Sequence, residues 1–308
     1  MKKLVSTLGM EKEEWLRYRK GGIGGSDAGA VCGLNPYRTA MEVYYDKTSD
    51  EIEEIDNEAM RQGREFEEYV ARRFMEATGK KVRRANALYY DERHPFMYAD
   101  VDRLVVGENA GLECKTASPY MADQWKDGKI PLSYQIQCYH YMSVFQADAW
   151  YIAVLIYGKE FQFHRIERDE AVISDLIHIE ENFWKDHVEK KILPEPDGSK
   201  VADSVIAELF KKSQGISLPL MGFDEKLKRR QELVEIMARM ETEKKKIEQE
   251  LKLYLGEAES AENEHFRVSW KTVNSSRLDE KLLKAEMPET YEKYRKSVSS
   301  RRFMVKVA

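Results

Sequence analysis

Residues 150–157, WYIAVLIY, constrain this chain more than any other feature. A strand with one wet face alternates polar and apolar positions, so a nearly continuous apolar run suits a strand buried on both faces. Such a strand needs covering layers on each side of its sheet. The surrounding pattern supplies them. Residues 15–20 read as a helix, and the turn Gly21-Gly22-Ile23-Gly24-Gly25 leads into Ser26-Asp27, which can cap a helix through Ala28, Ala30 and Val31. Residues 40–47 read as a second helix. Residues 64–77 make a stronger one, with Phe66, Val70 and Phe74 at i, i+4, i+8. Strands are expected at 96–106 and 112–116 around the turn at 107–111. A helix at 133–145 precedes the central strand. An edge strand through Phe161, Phe163 and Ile166 follows it, and an amphipathic helix at 170–191 completes an α/β unit.

The segment Pro194-Glu195-Pro196-Asp197-Gly198-Ser199 is the clearest break in the pattern. The expected division is a first domain at 1–198, a linker at 199–223 and a C-terminal helical/α+β extension at 224–308. That extension comprises a long charged helix at 224–255, a strand at 266–273, a helix from near Asp279 and a last strand at 302–307. Leu233, Met237, Met240, Ile247, Leu251 and Tyr254 fall at heptad-like 3-4 spacing, interrupted by Lys244. A helical hairpin or short coiled coil and a solvated helix resting one stripe on a core both satisfy this pattern. The basic end (Lys293, Arg295, Lys296, Arg301, Arg302, Lys306) is compatible with DNA contact or partner docking.

No segment approaches the roughly 20 apolar residues that span a bilayer, and the charged N-terminus has no signal-peptide core. Cys32, Cys114 and Cys138 are too few and too scattered for a disulfide framework or a cysteine-ligated metal quartet, which points to a reducing, cytoplasmic setting. The net charge of −5 neither supports nor excludes nucleic acid, since phosphate affinity depends on where the cations sit. The six histidines have no metal-ligand spacing. Gly79-Lys80, Gly128-Lys129 and Gly158-Lys159 all lack the Ser/Thr of a P-loop, so no ATP-driven step is expected.

The chemistry concentrates in Asp100-Val101-Asp102-Arg103 and Leu112-Glu113-Cys114-Lys115-Thr116. Alternation along a strand puts Glu113 and Lys115 on one face. Pairing with the preceding strand brings Asp102 beside them. Two carboxylates in one place repel unless a hard divalent cation with oxygen ligands resolves the conflict. Such a cation acidifies its water and neutralises a phosphate oxygen, and a neighbouring lysine can orient water or stabilise growing charge. Asp then Glu-x-Lys also occurs as a surface salt bridge, but here the pair sits in an otherwise apolar strand.

In this context the chain resembles the lambda-exonuclease or YqaJ-like viral recombinase family, a branch of the PD-(D/E)xK nucleases. Five motifs carry the resemblance, over about residues 10–195: Trp15-Leu16-Arg17-Tyr18-Arg19 followed by Gly21 to Ser26; Gly63-Arg64-Glu65-Phe66-Glu67; Asp102; Glu113-Cys114-Lys115; and Tyr134-Gln135-Ile136-Gln137. The usual S-P-D-G element here lacks its Pro and Gly but keeps the aspartate, and Asp100 stands as a rival or auxiliary ligand.

The resemblance implies a restriction-endonuclease-like core, a central mixed sheet flanked by helices. It implies Mg²⁺ or Mn²⁺ held by Asp102, Glu113 and the Cys114 backbone carbonyl, with Glu67 holding or orienting a second metal or its waters. Lys115 would activate the attacking water and Gln135 would support that lysine. Arg19 and Ser26 resemble a pocket for a terminal 5′ phosphate. The activity so implied is 5′-to-3′ digestion of linear duplex ends by a ring of three identical chains. The resulting 3′ overhangs would serve recombination through a single-strand-annealing partner, in a bacterial host carrying a phage or prophage. A structure-specific endonuclease or resolvase, and a non-catalytic DNA-binding scaffold, are the competing readings.

Overall fold

The computed structural model describes residues 1–50, 56–296 and 300–306. The chain divides into two compact units, Met1–Phe210 and Lys211–Ala308.

In order, the first unit contains β1 (Lys2–Ser6), α1 (Lys12–Lys20), α2 (Gly25–Val31), α3 (Ala40–Thr48), α4 (Glu58–Thr78), β2 (Val82–Arg83), β3 (Ala87–Tyr90), β4 (Tyr98–Asp100), β5 (Arg103–Val105) and β6 (Ala110–Ala117). After a 3₁₀ segment at Pro119–Gly128 come α5 (Leu132–Phe145), β7 (Ala149–Ile156), β8 (Glu160–Glu167), α6 (Glu170–Asn182), a π-helical continuation at Phe183–Glu189, and α7 (Lys200–Leu209). The main sheet runs β2-β5-β6-β7-β8, and β1, β3 and β4 form a smaller one. Only β6 and β7 pair in parallel in the main sheet, and α5 makes the crossover between them.

β7 is the strand that the apolar run requires. Trp150, Ile152, Val154 and Ile156 face a core shared with Cys138, Tyr141 and Met142 of α5. Tyr151 and Ala153 face the opposite core, with Val70, Ala71 and Phe74 of α4. Both faces are therefore dry. Phe66, expected on the same stripe, is 38% exposed and rests its ring 5.7 Å from Tyr157 instead. Gly111 is required by this packing, since a Cβ there would lie 2.1 Å from the Trp150 ring.

The strand expected over 96–106 is two strands. Tyr98–Asp100 pairs with β3 in the small sheet, whereas Arg103–Val105 pairs with β2 and β6 in the large one. The chain changes sheets at Val101-Asp102, so Asp102 stands at the junction. The expected boundary at 198 is also displaced. Ala202 and Val205 of α7, in the stretch expected as linker, bury against Met41 of α3, because α7 has an apolar stripe that only the first unit covers.

The second unit contains α8 (Asp224–Leu255), the hairpin β9 (Ser260–Glu262) and β10 (Arg267–Ser269), then α9 (Glu280–Glu286) and α10 (Pro288–Tyr294). The Asp279 side chain caps α9 by accepting from the Lys281 and Leu282 amides. The strand expected at 266–273 is limited to Arg267–Ser269. Residues 302–306 form no strand, and Val307 lies outside the described residues. The α8 stripe is exposed, from 39% at Leu251 to 80% at Tyr254. Among the described residues no helix is long and apolar enough to cross a membrane.

Candidate active site

β5 and β6 form the hairpin expected around 107–111, with Arg103 opposite Leu112 and Leu104 opposite Gly111. Glu113 and Lys115 lie opposite Ile152 and Val154 of the parallel neighbour, which puts both on the α5 face of the sheet. Lys115 Nζ sits 2.7 Å from Glu113 Oε1. Asp102 closes the group: its Oδ2 accepts the Cys114 backbone N–H at 2.7 Å. The three residues named from sequence thus come together, and Asp102 and Glu113 line a cleft of about 440 Å³ with Arg19, Ser26, Glu67, Asp100 and Arg103, while Lys115 stands behind Glu113.

The helix that crosses over this face supplies the rest of the constellation. Gln137 Nε2 donates to Glu113 Oε1 at 2.7 Å and to Tyr141 Oη at 3.0 Å, while Gln137 Oε1 accepts from Lys115 Nζ at 3.0 Å. Tyr141 Oη donates onward to the Asp100 carbonyl at 3.1 Å. The Lys115 ammonium also stands 4.7 Å over the Tyr134 ring. The supporting amide is therefore Gln137, not Gln135. Gln135 donates to the Ile130 carbonyl at 2.7 Å at the start of its own helix. Two residues along a helix turn a side chain by about 200°, so only one of two glutamines spaced this way can face the strand. The pattern Tyr134, Gln137, Tyr141 at i, i+3, i+7 was the signal that selects the second.

The electrostatics suit a cation. Burial, followed by the Glu113 and Glu67 carboxylates, pushes Asp102 well above the usual carboxylate range. Burial also raises Glu113, against the lowering effect of Lys115. Burial opposes charge on Lys115, but Glu113 beside it and then Tyr134 and Asp102 hold its pKa above the ordinary value. It is thus an ammonium, suited to donating hydrogen bonds and stabilising charge and not to removing a proton. Glu113 Oε2 is buried with no hydrogen-bond partner. An orphaned carboxylate oxygen next to a second carboxylate of raised pKa is the donor set that a hard divalent cation would satisfy. Among the described residues no group of three or more His, Cys, Asp or Glu side chains is placed to hold a metal ion, so beyond Asp102 and Glu113 any further ligands would be backbone oxygens or water. The Cys114 thiol, raised by burial and then by Asp102, remains protonated, as does Cys138, whose thiol burial also raises.

Glu67 faces the same cleft, but its carboxylate is paired with Arg103. Asp100, the rival ligand, is also occupied: its Oδ2 accepts the Trp15 indole N–H at 2.7 Å. Trp15 in turn supports Arg19, whose guanidinium lies 4.8 Å from the ring centroid. Arg19 Nη2 donates to Ser26 Oγ at 2.9 Å, so these two residues meet at the cleft wall. They are anchored from behind by Asp27, which accepts from the Gly24 amide at 3.0 Å and lies 2.8 Å from the fully buried Lys47 Nζ. Burial alone would raise Asp27, but Lys47, Arg38 and Arg19 hold it well below the usual range. No motif in the sequence pointed to Lys47 or Arg38, because their partner is reached only through folding.

A mixed five-stranded sheet covered by helices on both faces is the core of the restriction-endonuclease-like fold class. The description of the YqaJ-like viral recombinase domain matches residues 14–148. The uncharacterized protein YqaJ of Bacillus subtilis (strain 168) is 36% identical over 302 residues, covering 96% of this chain and 95% of that protein. The chain therefore belongs to the YqaJ-like viral recombinase family. Among solved structures, the alkaline exonuclease LHK-Exo from Laribacter hongkongensis superposes with a TM-score of 0.52 at 22% identity, over 64% of this chain and 100% of that one. LHK-Exo in complex with dAMP gives 0.51 at 24% identity, over 59% and 94%. The fold is thus shared with this alkaline exonuclease.

Proposed function

We propose that this chain is a metal-dependent exonuclease that digests linear double-stranded DNA from its 5′ ends and leaves 3′ single-stranded overhangs. The observation that carries the reading is the buried, unpartnered Glu113 Oε2 beside Asp102 and an ammonium at Lys115. Family membership and the exonuclease fold support it. Asp102, Glu113 and the Cys114 backbone carbonyl would hold Mg²⁺ or Mn²⁺, which supplies an acidified water and neutralises a phosphate oxygen. Lys115 orients the attacking water and stabilises the charge that builds on the phosphate. Gln137 holds the Lys115 ammonium beside the Glu113 carboxylate and keeps that carboxylate in place. Glu67 faces the same cleft with its carboxylate held by Arg103. Overhangs of this kind suit a single-strand-annealing partner in the cytoplasm of a bacterial host.

Arg19 and Ser26 bind the terminal 5′ phosphate, where a guanidinium offers paired donors. End-labelled linear duplex with a 5′ phosphate should be degraded with Mg²⁺ and spared with EDTA, and closed circular duplex should survive both. A 5′-hydroxyl duplex should be cut more slowly, by about tenfold for one lost charge-assisted contact. Arg19→Ala should erase that difference. Cutting of the closed circle would favour the endonuclease reading, and equal rates on both ends would remove the phosphate pocket.

The working form is a closed ring of three chains. The sequence carries no P-loop to power movement, and phosphate contacts alone weaken steeply with salt. A closed ring keeps the enzyme on its substrate, and hydrolysis makes the motion directional. Light scattering coupled to size exclusion should give three times the mass of one chain at micromolar concentration. A single-chain mass together with distributive cleavage rules the ring out.

A further inference from the structure

Arg103 lines the cleft beside the candidate metal ligands, and both terminal nitrogens of its guanidinium are engaged. Nη1 donates to Glu67 Oε1 and, at 2.6 Å, to the Asp102 carbonyl. Nη2 donates to Glu68 Oε2 at 2.9 Å, and Arg84 holds that same oxygen from outside at 2.7 Å. The Arg103 side chain is only 4% exposed, against 31% for Glu67. Its direction follows from register: opposite Leu112, it lies on the α4 face, where consecutive Glu67 and Glu68 present a fork of carboxylates.

From this arrangement we infer that Arg103 restricts the cleft to one divalent cation, itself standing in for the positive charge that a second cation at Glu67 would bring. The inference rests on the metal-dependent reading above. A guanidinium remains charged throughout the range in which proteins fold. A cation that recruited Glu67 would have to strip it from Arg103, leaving a buried charge with one partner fewer, which is costly. That cation would also stand beside a fixed positive charge in a partly buried site, where repulsion is weakly screened. Asp102 and Glu113 escape this competition, because neither side chain pairs with Arg103.

The test counts bound Mn²⁺ by electron paramagnetic resonance and calorimetry on the full chain, without DNA. The intact protein should bind one Mn²⁺ per chain at the cleft, with the spectrum of an isolated ion. Glu67→Gln should change that affinity by less than about twofold, whereas loss of a true ligand or its orienting partner costs roughly tenfold or more. Arg103→Met, which keeps the length and removes the charge, should bind a second Mn²⁺ that is lost again in Arg103→Met/Glu67→Gln. Two ions on the intact chain, or a tenfold loss on Glu67→Gln alone, overturns the inference while leaving the nuclease reading in place. No bound Mn²⁺ overturns both. The Glu67→Gln result stands even where Arg103→Met fails to fold, since Glu67 is partly exposed and on a helix.

Discussion

Lys115→Ala should lower turnover on linear duplex by about a thousandfold or more, equivalent to roughly 4 kcal/mol in the barrier, while DNA affinity stays within about twofold. The reason lies in the division of labour at the site. Asp102 and Glu113 present oxygen atoms to a cation, whereas Lys115 presents only hydrogen-bond donors and a positive charge. Its contribution is therefore made to the transition state and shows in the rate rather than in binding. The substitution has a second, structural signature. Glu113 is 4% exposed, and in the metal-free chain it would lose the cation that now pairs with it. The metal-free variant should be less stable than the parent by about 1–3 kcal/mol, and Mn²⁺ or Mg²⁺ should restore most of that difference. Thermal unfolding with and without metal, alongside single-turnover cleavage, measures both effects. Turnover near that of the parent would remove Lys115 from the active site.

Asp102→Asn should abolish cleavage and yet stabilise the metal-free protein. Loss of a cation ligand should cost at least about a thousandfold in rate. Stability moves the other way, because the native aspartate is held where charge is unwelcome. Burial and then the Glu113 and Glu67 carboxylates raise its pKa well above the usual range. The folded chain therefore binds the Asp102 proton more tightly than the unfolded chain, and stability falls as pH rises above the ordinary carboxylate pKa. Asparagine keeps an oxygen for the Cys114 amide and removes the charge. The gain over the parent should thus be small in acid and grow with pH, reaching on the order of 1–3 kcal/mol near neutrality. Divalent metal should reverse the ranking, since only the parent then has its ligand. Urea unfolding of both proteins at acidic and neutral pH, each with and without Mn²⁺, reads all four states. An Asn variant less stable than the parent without metal at neutral pH would contradict the strained-carboxylate account.

These two experiments separate the parts of the site by chemistry, and the parts differed in how far the sequence revealed them. Glu113 and Lys115 were legible because strand alternation is a local rule, and an ion pair inside an apolar strand stands out. Asp102 was legible through hairpin pairing around residues 107–111, which is also short in range. Arg19 and Ser26 were named only through the family resemblance, and the Gly-rich turn between them brings their side chains together.

The choice between Gln135 and Gln137 went the other way. Both lie on the same predicted helix, and which of them meets the lysine depends on how α5 is rotated against β6. That rotation is decided by Cys138, Tyr141 and Met142 packing beneath Trp150 and Ile152. The pairing of Glu67 with Arg103 has the same character, linking residues 36 positions apart across the sheet and α4. So does the burial of Lys47 against Asp27.

By itself, then, the sequence determined the central strand, the two-sided covering of the sheet, and the trio Asp102, Glu113 and Lys115, because each follows from periodicity or pairing within a few residues. The tertiary structure alone decided that the strand at 96–106 breaks to change sheets at Asp102. It also decided that α7 packs back on α3, that Gln137 serves the lysine, and that Arg103 takes Glu67. Those outcomes depend on how separate elements rotate and dock, and that is set by the packing of side chains far apart in the chain.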